Sequence, residues 1–203
     1  IWNACRDGAY GSIVKILMLT GQRREEVGGM AWSEIEIKQA LWSLPRERTK
    51  NDRPHDVPLS ALAVAVIEAI PKRPDRELVF GEGEGPFSGW SKSKAALDRR
   101  ISVAQKKAAL TLGQKLKPMP PWRLHDLRRT MATRMGDLGI GPHIIEAALN
   151  HISGARAGIA GIYNRSLYSA EKRAALNVWG EHLLGLVSGQ EAKVVPLHKV
   201  RAG

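Results

Sequence analysis

Tyr163 is one of only three tyrosines in the chain, and it follows His125, Arg128 and His151 in sequence. A second arginine, Arg23, lies far upstream. When a phenolic oxygen attacks a DNA phosphodiester, negative charge grows on the phosphate oxygens, and fixed cations must meet that charge. Arginine and histidine side chains gathered around one tyrosine suit this chemistry. The set therefore predicts attack of a tyrosine oxygen on a DNA phosphate.

His125 and Arg128 are the most local part of this set. They stand three positions apart, so on a helix they share one face and can grip the same anion. A histidine three residues before an arginine is common by chance, and Arg23 alone would pass for a surface cation. The prediction rests on the combination and its order, in which Lys50 lies between Arg23 and the His125–Arg128 pair.

The elements that must position these residues are mostly helical. Apolar residues recur at helical spacing in residues 11–20, 24–30, 62–70, 122–136, 142–150 and 170–186, and in a long helix that starts near residue 91. Between them, Ile35 and Ile37 alternate with polar residues, and the short apolar runs 41–44 and 57–59 follow. These runs predict a small three-stranded antiparallel sheet at about 34–59. The polar stretch 46–54, which contains Lys50, is then a hairpin tip. The fold class is α+β.

Composition favours a polyanionic partner. The chain has 203 residues, 31 lysines and arginines against 20 acids, and a formal net charge of +11. A domain this basic usually meets nucleic acid, although a soluble protein that is merely basic is a minority alternative. An apolar content of 43% is ample for a buried core.

Several classes of protein fit the sequence poorly. Cys5 is the only cysteine, so no internal disulfide can form. No apolar stretch approaches the roughly 20 residues of a membrane-spanning helix. No convincing cluster of metal ligands is found. We expect a protein without cofactor or metal that works away from membranes.

Basic residues are concentrated after residue 91. From there to residue 117 a single acid, Asp98, stands against Lys92, Lys94, Arg99, Arg100, Lys106, Lys107, Lys115 and Lys117. Such a run is often only a solvated face, but on a helix that can lie along a duplex it favours phosphate contact. We expect DNA contacts from Lys92, Lys94, Arg99 and Arg100, and from Arg123 and Arg129 beside the His125–Arg128 pair.

Taken together, the motifs resemble those of the tyrosine recombinases, also called phage integrases. Thr-Gly-x-Arg-x-x-Glu at 20–26 is similar to their first-arginine motif, and Thr49-Lys50 to their hairpin lysine. The stretch 124–130 is similar to their His-x-x-Arg box, and Asn150-His151 followed by Ile162-Tyr163 to their last histidine and nucleophile. The resemblance spans roughly residues 10–186, and the motifs occur in order.

The resemblance implies a DNA strand-exchange enzyme that forms a transient 3′-phosphotyrosine bond without a metal. Arg23 and Arg128 would clamp the phosphate oxygens, Tyr163 would attack, and Lys50 would protonate the leaving 5′ oxygen. His125 would take the tyrosine proton or hold a phosphate oxygen, and His151 would donate a further hydrogen bond. The last residue of this set, Glu26, would orient His125 or Arg23.

One departure concerns the spacing before the nucleophile. The gap between His151 and Tyr163 is longer than in many recombinases and is similar to that of integrases from prophages and genomic islands. This raises the alternative that Tyr168 is the nucleophile. On a helix, five residues separate the two tyrosines by about 140°, so only one of them can face the site. Arg165, which follows Tyr163 as the variant pattern expects, favours Tyr163.

Two other functions compete with recombination. The helices 123–136 and 142–150, with a glycine-containing turn between them, could form a DNA-binding helix-turn-helix without catalysis. A DNA-relaxing topoisomerase of the tyrosine type would use the same chemistry without a partner protomer. The first alternative leaves Arg23, Lys50 and Tyr163 without a joint purpose.

Other residues receive simpler interpretations. Four tryptophans are expected in the core rather than as platforms for bases: Trp32, Trp42, Trp122 and Trp179. His143 is expected to be exposed, and His55, near the Lys50 hairpin, is a weak candidate for DNA contact. Tyr10 is expected to pack near the first helix.

The expected organisation is a catalytic domain at 1–186 and a tail at 187–203 that is mobile or docks on a partner protomer. The chain starts without a methionine, so we expect an N-terminal DNA-binding region to be absent from it. The expected partners are double-stranded DNA and further copies of the chain in a recombination tetramer. The expected setting is the cytoplasm of a bacterium, at the nucleoid, for a protein encoded by a phage or host.

Overall fold

The computed structural model describes residues 1–151 and 168–189. Within these two ranges the chain forms seven α-helices and a three-stranded sheet. The helices are α1 (Ala9–Thr20), α2 (Arg24–Gly28), α3 (Ala61–Glu68), α4 (Trp90–Thr111), α5 (Leu124–Asp137), α6 (Pro142–Ala148) and α7 (Ser169–Ser188). The strands are β1 (Ile35–Glu36), β2 (Leu41–Leu44) and β3 (His55–Pro58). The predicted mainly helical α+β fold is confirmed.

The sheet is antiparallel, with the strands in the order β1-β2-β3. Trp42 pairs with Val57 and Leu44 with His55, and all four side chains are buried. Because side chains alternate along a strand, the intervening Ser43 points to solvent. The predicted sheet at about 34–59 is therefore present. Its last strand starts at His55, earlier than the pattern of apolar residues suggested.

Helix α1 is the centre of the core. Ile13, Ile16 and Leu19 are almost fully buried on it, and it packs against α3, α5 and α7. The indole Nε1 of Trp179 on α7 donates a hydrogen bond of 2.8 Å to the carbonyl of Met18. This contact satisfies one carbonyl in the last turn of α1 and joins the two helices there.

Gly21 ends α1 in a left-handed conformation, with φ 64°. A Cβ atom at this position would lie 2.6 Å from Met131 Sδ and 2.7 Å from Leu149 Cδ2. Only glycine allows both the backbone conformation and this approach of α5 and α6. The corner at Gly21 therefore brings the segment with Arg23 against α5, which carries His125 and Arg128, and against the end of α6.

The burial of the tryptophans and of His55 differs in part from the expectation. Trp42 and Trp179 are buried, as predicted, whereas Trp32 and Trp122 are only partly buried. His55 is 6% exposed, so the suggestion that it touches DNA is wrong. Its strand pairing places it on the inner face of the sheet, next to Val57 and opposite Leu44.

Helix α7 continues through Ser188, so the first residues of the expected tail belong to a helix. Val187 packs against the core. Residues 190–203, the remainder of that tail, lie outside the described residues.

Gly21→Ala is expected to destabilise the protein more than Gly113→Ala. Both glycines have positive φ, 64° and 61°, so both substitutions cost about 1–2 kcal/mol of backbone strain. No heavy atom lies within 4 Å of a Cβ at Gly113, whereas the clash at Gly21 adds about 1–3 kcal/mol. Denaturant unfolding of the two variants measures the difference, and equal losses would contradict the close packing at Gly21.

Candidate active site

A cavity of about 550 Å³ lies between α1, α2, α4 and α5. Four of the predicted catalytic residues line it: Arg23, Lys50, His125 and Arg128. They come from the start of α2, from the β2–β3 hairpin and from the first turns of α5. The fold thus gathers cations from three distant parts of the sequence around one open space.

Arg128 is the most buried member of the group, with 4% exposure. Its Nη1 donates a hydrogen bond of 2.6 Å to the carbonyl of Gly21, and its Nη2 donates to the carbonyl of Leu149. These carbonyls lie at the C-terminal ends of α1 and α6, where the helix dipoles favour positive charge. Two of its five N–H donors are used in this way, which leaves the others for a ligand in the cavity.

Burial and, after it, the nearby charge of Arg23 lower the pKa of Arg128 to about 10. Glu26 and Glu146 act in the opposite direction. The guanidinium is still protonated at neutral pH. Two cations that repel each other beside a cavity are the arrangement expected where an anion binds.

Glu26 fixes Arg23 at the start of α2. One carboxylate oxygen of Glu26 accepts a hydrogen bond of 2.8 Å from the backbone N–H of Arg23, and the other accepts one of 2.9 Å from Nη1. The first bond caps the helix, and the second holds the guanidinium. Glu26 is 4% exposed, while the Arg23 side chain keeps 21% of its surface open. Glu26 therefore contacts Arg23, one of the two partners anticipated for it.

Lys50 reaches the cavity from the β2–β3 hairpin and is exposed. On one side of it, the hydroxyl of Thr49 donates to the carbonyl of Arg53 at 2.7 Å. On the other side, Nδ2 of Asn51 donates to the carbonyl of Asn150 at 2.5 Å. The long, flexible lysine side chain is exposed at the cavity, while its two neighbours are held by hydrogen bonds.

His125 lies in the first turn of α5, one turn before Arg128, and its side chain is exposed at the cavity. Asp126 caps this helix by accepting a hydrogen bond of 2.8 Å from the backbone N–H of Arg123. The proline-rich stretch 118–121 before it does not favour helix, so the chain enters α5 as an extended segment. His125 and Arg128 consequently share the face that the spacing predicted.

His151 lies just beyond α6 and is not among the residues that line the cavity. Its backbone N–H donates to the carbonyl of Glu146 at 2.9 Å, and its Nδ1 lies 3.3 Å from Glu146 Oε1. The structure therefore places it at the end of α6, near the Leu149 carbonyl that holds Arg128. Its proposed role at the phosphate stays a prediction.

Tyr163, the predicted nucleophile, lies outside the described residues. Tyr168, the alternative, immediately precedes α7, and its ring packs edge-on against His143 at 5.3 Å between centroids. His143 is exposed in the first turn of α6, whereas Arg128 binds at the other end of that helix, about 10 Å away. This placement of Tyr168 does not favour it as the nucleophile. Tyr10, the remaining tyrosine, packs against Phe87 and Trp90.

The six predicted DNA-contacting cations fall into different environments. Lys94 and Arg123 line the cavity. Lys92, Arg99 and Arg129 are exposed, and Arg129 lies 3.5 Å from Asp126. Arg100 instead donates a hydrogen bond of 2.9 Å to the carbonyl of Ala4, so part of its donor capacity is used within the protein. Contact of these residues with DNA stays a prediction.

Several residues of the site have no counterpart in the sequence prediction. Trp90 and Trp122 form walls of the cavity, and Lys94 Nζ lies 3.9 Å from the ring centroid of Trp122. Asp98 holds both partners, since it accepts from Lys94 Nζ at 2.7 Å and from Trp122 Nε1 at 3.0 Å. Trp122 is thus part of the site as well as of the core periphery. Its position directly before the His125–Arg128 motif was the available signal.

The helix-turn-helix alternative requires α6 to expose a face to a DNA groove. Four of its seven residues are buried instead: Ile144, Ile145, Ala147 and Ala148. The carbonyls at its end are also used to hold Arg128 and Asn51. Helix α6 serves as a support for the cavity, which does not suit a recognition helix.

In residues 1–151 and 168–189, no group of three or more histidine, cysteine, aspartate or glutamate side chains is placed to hold a metal ion. In the same ranges, none of the helices has the length and apolar character needed to cross a membrane.

The cavity of this mainly helical fold is lined by four arginines, two lysines and a histidine. So many cations around one open space suit a protein that binds phosphate groups. Comparison of the sequence with known families identifies the family of the protein. The chain belongs to the phage integrase family, whose pattern matches residues 2–169.

Individual relatives agree with this assignment. The prophage integrase IntA of Escherichia coli K12 is 30% identical over 173 residues, which cover 85% of this chain and 38% of the relative. The prophage integrase IntZ of the same organism is 28% identical over 185 residues, which cover 90% of this chain and 42% of the relative. The chain thus spans about two fifths of the length of these relatives.

A solved structure shares the fold. The integrase from mycobacterium phage Brujita superposes with a TM-score of 0.57 at 13% identity, over 87% of this chain and 53% of that one. At this identity the similarity concerns the fold alone.

His55 is expected to make stability depend on pH. Burial, followed by the charge of Lys172, lowers the pKa of His55 to about 3, from 6.5. The folded state therefore keeps the ring neutral, with Nε2 donating to the carbonyl of Ala148 at 3.1 Å, while the unfolded chain takes up a proton below pH 6.5. The contribution of His55 to the free energy of unfolding is fully present above pH 6.5 and is lost as the pH falls from 6.5 to 3. The loss between pH 7 and pH 5 is about 2 kcal/mol.

The check is denaturant unfolding at pH 7 and pH 5 of the wild type and of His55→Gln. Glutamine retains an amide donor for the Ala148 carbonyl but does not titrate, so the variant should lose that part of the pH dependence. If both proteins show the same change in unfolding free energy between the two pH values, His55 does not titrate as described.

Proposed function

We propose that this chain is the catalytic unit of a site-specific DNA recombinase, an integrase of a prophage or genomic island. The observation that carries the proposal is the convergence of Arg23, Lys50, His125 and Arg128 on one cavity. Each of these residues was selected from sequence for the same reaction, and chance would not bring four of them together. Membership of the phage integrase family supports the same activity.

The reaction is a transfer of a phosphodiester to tyrosine. The phenolic oxygen of Tyr163 forms a bond to phosphorus, and the bond from phosphorus to the 5′ oxygen breaks. Arg23 and Arg128 bind the non-bridging oxygens, where negative charge grows. Because Arg128 is already fixed by two carbonyls, little reorganisation is needed when that charge develops.

Protons move at both ends of the transfer. His125 accepts the proton of the tyrosine or holds a phosphate oxygen, and His151 donates a further hydrogen bond. The ammonium group of Lys50 gives a proton to the departing 5′ oxygen, a task that suits a compact cation on a flexible stem. The guanidinium groups supply the positive charge that a metal ion would otherwise bring, so we propose a metal-independent reaction.

The substrate is double-stranded DNA, and a net charge of +11 supports binding dominated by phosphate contacts. Lys92, Lys94, Arg99, Arg100, Arg123 and Arg129 are the proposed contacts outside the catalytic set. Exchange of strands needs two duplexes, so we propose assembly of several copies on DNA into a tetramer, at the nucleoid of a bacterial cell.

Covalent trapping tests the chemistry. The substrate is a nicked duplex that carries the sequence at the ends of the genetic element encoding the protein. Wild type is expected to form a covalent adduct, Tyr163→Phe to form none because the nucleophilic oxygen is missing, and Tyr168→Phe to form it normally. The adduct is measured by denaturing gel electrophoresis of the full-length protein as its gene encodes it.

The alternative outcomes have distinct meanings. If the adduct is lost only in Tyr168→Phe, the proposed reaction stands and Tyr168, not Tyr163, is the nucleophile. No adduct with wild type would remove the proposed activity.

Arg128→Lys is expected to lose cleavage although it keeps the positive charge. An ammonium cannot hold the carbonyls of Gly21 and Leu149 and still present a forked pair of donors to a phosphate. We expect the single-turnover cleavage rate to fall by about 10²–10³-fold. Arg134→Lys on the same helix, which is exposed and pairs with Asp137, is the matched control. Equal cleavage rates in the two variants would show that Arg128 does not take part in the reaction.

A further inference from the structure

Helix α6 ends in a Schellman motif, a common way of closing a helix through a left-handed residue. Asn150 is that residue, with φ 50°. Its backbone N–H donates to the carbonyl of Ala147 at 3.3 Å, and the N–H of His151 donates to the carbonyl of Glu146 at 2.9 Å. The motif therefore satisfies two of the carbonyls that a helix leaves open at its end.

The next three carbonyls, those of residues 148, 149 and 150, each accept a hydrogen bond from a side chain of a segment that reaches the site. The donors are Gln22 Nε2 at 3.0 Å and His55 Nε2 at 3.1 Å to Ala148, Arg128 Nη2 to Leu149, and Asn51 Nδ2 at 2.5 Å to Asn150. The end of α6 thus binds the segment of Arg23, strand β3, helix α5 and the Lys50 hairpin.

The hairpin also has internal bonds, which join residues before Lys50 to residues after it. The hydroxyl of Thr49 donates to the carbonyl of Arg53 and accepts from its N–H at 3.1 Å. Arg46 Nη2 donates to Asp52 Oδ2 at 2.7 Å. These bonds shape the tip of the hairpin, whereas the bond from Asn51 crosses to another part of the fold, 99 positions along the chain.

We infer that Asn51 is a positioning residue that ties Lys50 to the end of α6 and thereby to the guanidinium of Arg128. The inference rests on the proposed function, in which Lys50 is the proton donor to the leaving 5′ oxygen. The ladder of β2 and β3 ends at Leu44 and His55, so the strands do not themselves fix the tip. Asn51 provides the link between the mobile lysine and the rigid arginine.

The same link reaches toward the nucleophile. Asn150, whose carbonyl accepts from Asn51, is followed directly by His151 and by the segment that contains Tyr163. The side chain of Asn150 is 6% exposed. A displacement of the hairpin would therefore be transmitted through this bond to the backbone of Asn150, which precedes the tyrosine segment in sequence.

Loss of the Asn51 bond should slow the step that needs the proton of Lys50. The steps that need only Arg23 and Arg128 should keep their rates. A net hydrogen bond of about 0.5–1.5 kcal/mol corresponds to a slowing of up to about tenfold. A substrate whose leaving atom needs no proton distinguishes a loss of proton donation by Lys50 from a general loss of activity. When sulfur replaces the 5′ bridging oxygen, the leaving thiolate is stable near neutral pH, because a thiol has a pKa of about 8.5.

The experiment compares single-turnover adduct formation on the nicked duplex with a 5′ bridging oxygen and on the same duplex with a 5′ bridging sulfur. Asn51→Ala is expected to be slowed by up to about tenfold on the oxygen substrate and to react at the wild-type rate on the sulfur substrate. Lys50→Ala should show the same pattern more strongly. Thermal unfolding of each variant verifies that the fold is retained.

The matched control is Asp52→Asn, one position further along the hairpin. It breaks the ion pair with Arg46, leaves the bond to Asn150 in place and suits the left-handed backbone at this position, where φ is 51°. Its ratio of sulfur to oxygen rates should equal that of wild type.

Three results would overturn the inference, and they can be told apart. Equal slowing of Asn51→Ala on both substrates, or no slowing, would show that Asn51 does not act through Lys50. Equal slowing of Lys50→Ala on both substrates would show that Lys50 is not the acid. The absence of an adduct with wild type on either substrate would show that the proposed function itself is wrong.

Discussion

The guanidinium of Arg128, held between the carbonyls of Gly21 and Leu149, is the interaction on which the rest of the structure depends. A cation that is 4% exposed is costly unless its donors are satisfied. The ends of two helices satisfy two of these donors and add the favourable field of their dipoles. The corner at Gly21 and the closure of α6 must therefore meet at one place, which fixes how α1, α5 and α6 pack.

Around this fixed point the site combines rigid and mobile parts. The arginines are held before any ligand arrives: Arg128 by two carbonyls and Arg23 by Glu26. Lys50 lies on an exposed hairpin tip. A transition state that gains charge at the non-bridging oxygens benefits from donors that need no reorganisation. Proton transfer to a departing atom instead benefits from a donor that can follow it, and the hairpin provides one.

Much of this arrangement could be predicted from the sequence, because it depends on short-range patterns. Apolar periodicity indicated the helices and the sheet, and the order of motifs selected Arg23, Lys50, His125 and Arg128. The supporting contacts could not be predicted in the same way. Gln22, His55 and Asn51 bind α6 across 126, 93 and 99 positions of sequence, and an uncharged amide or a strand histidine carries no local signal for such a partner. His55 was consequently considered as a weak candidate for DNA contact, although it is buried.

The run of carbonyls at residues 148–150 also has a consequence for how such a site can diverge. Four side chains from separate segments share one short stretch of backbone, so a change in any one of them alters the geometry that the other three use. Effects of substitutions among them will not add, since contacting residues couple energetically. We therefore expect substitutions at these positions to be epistatic: a replacement that the site tolerates with one set of partners destabilises it with another.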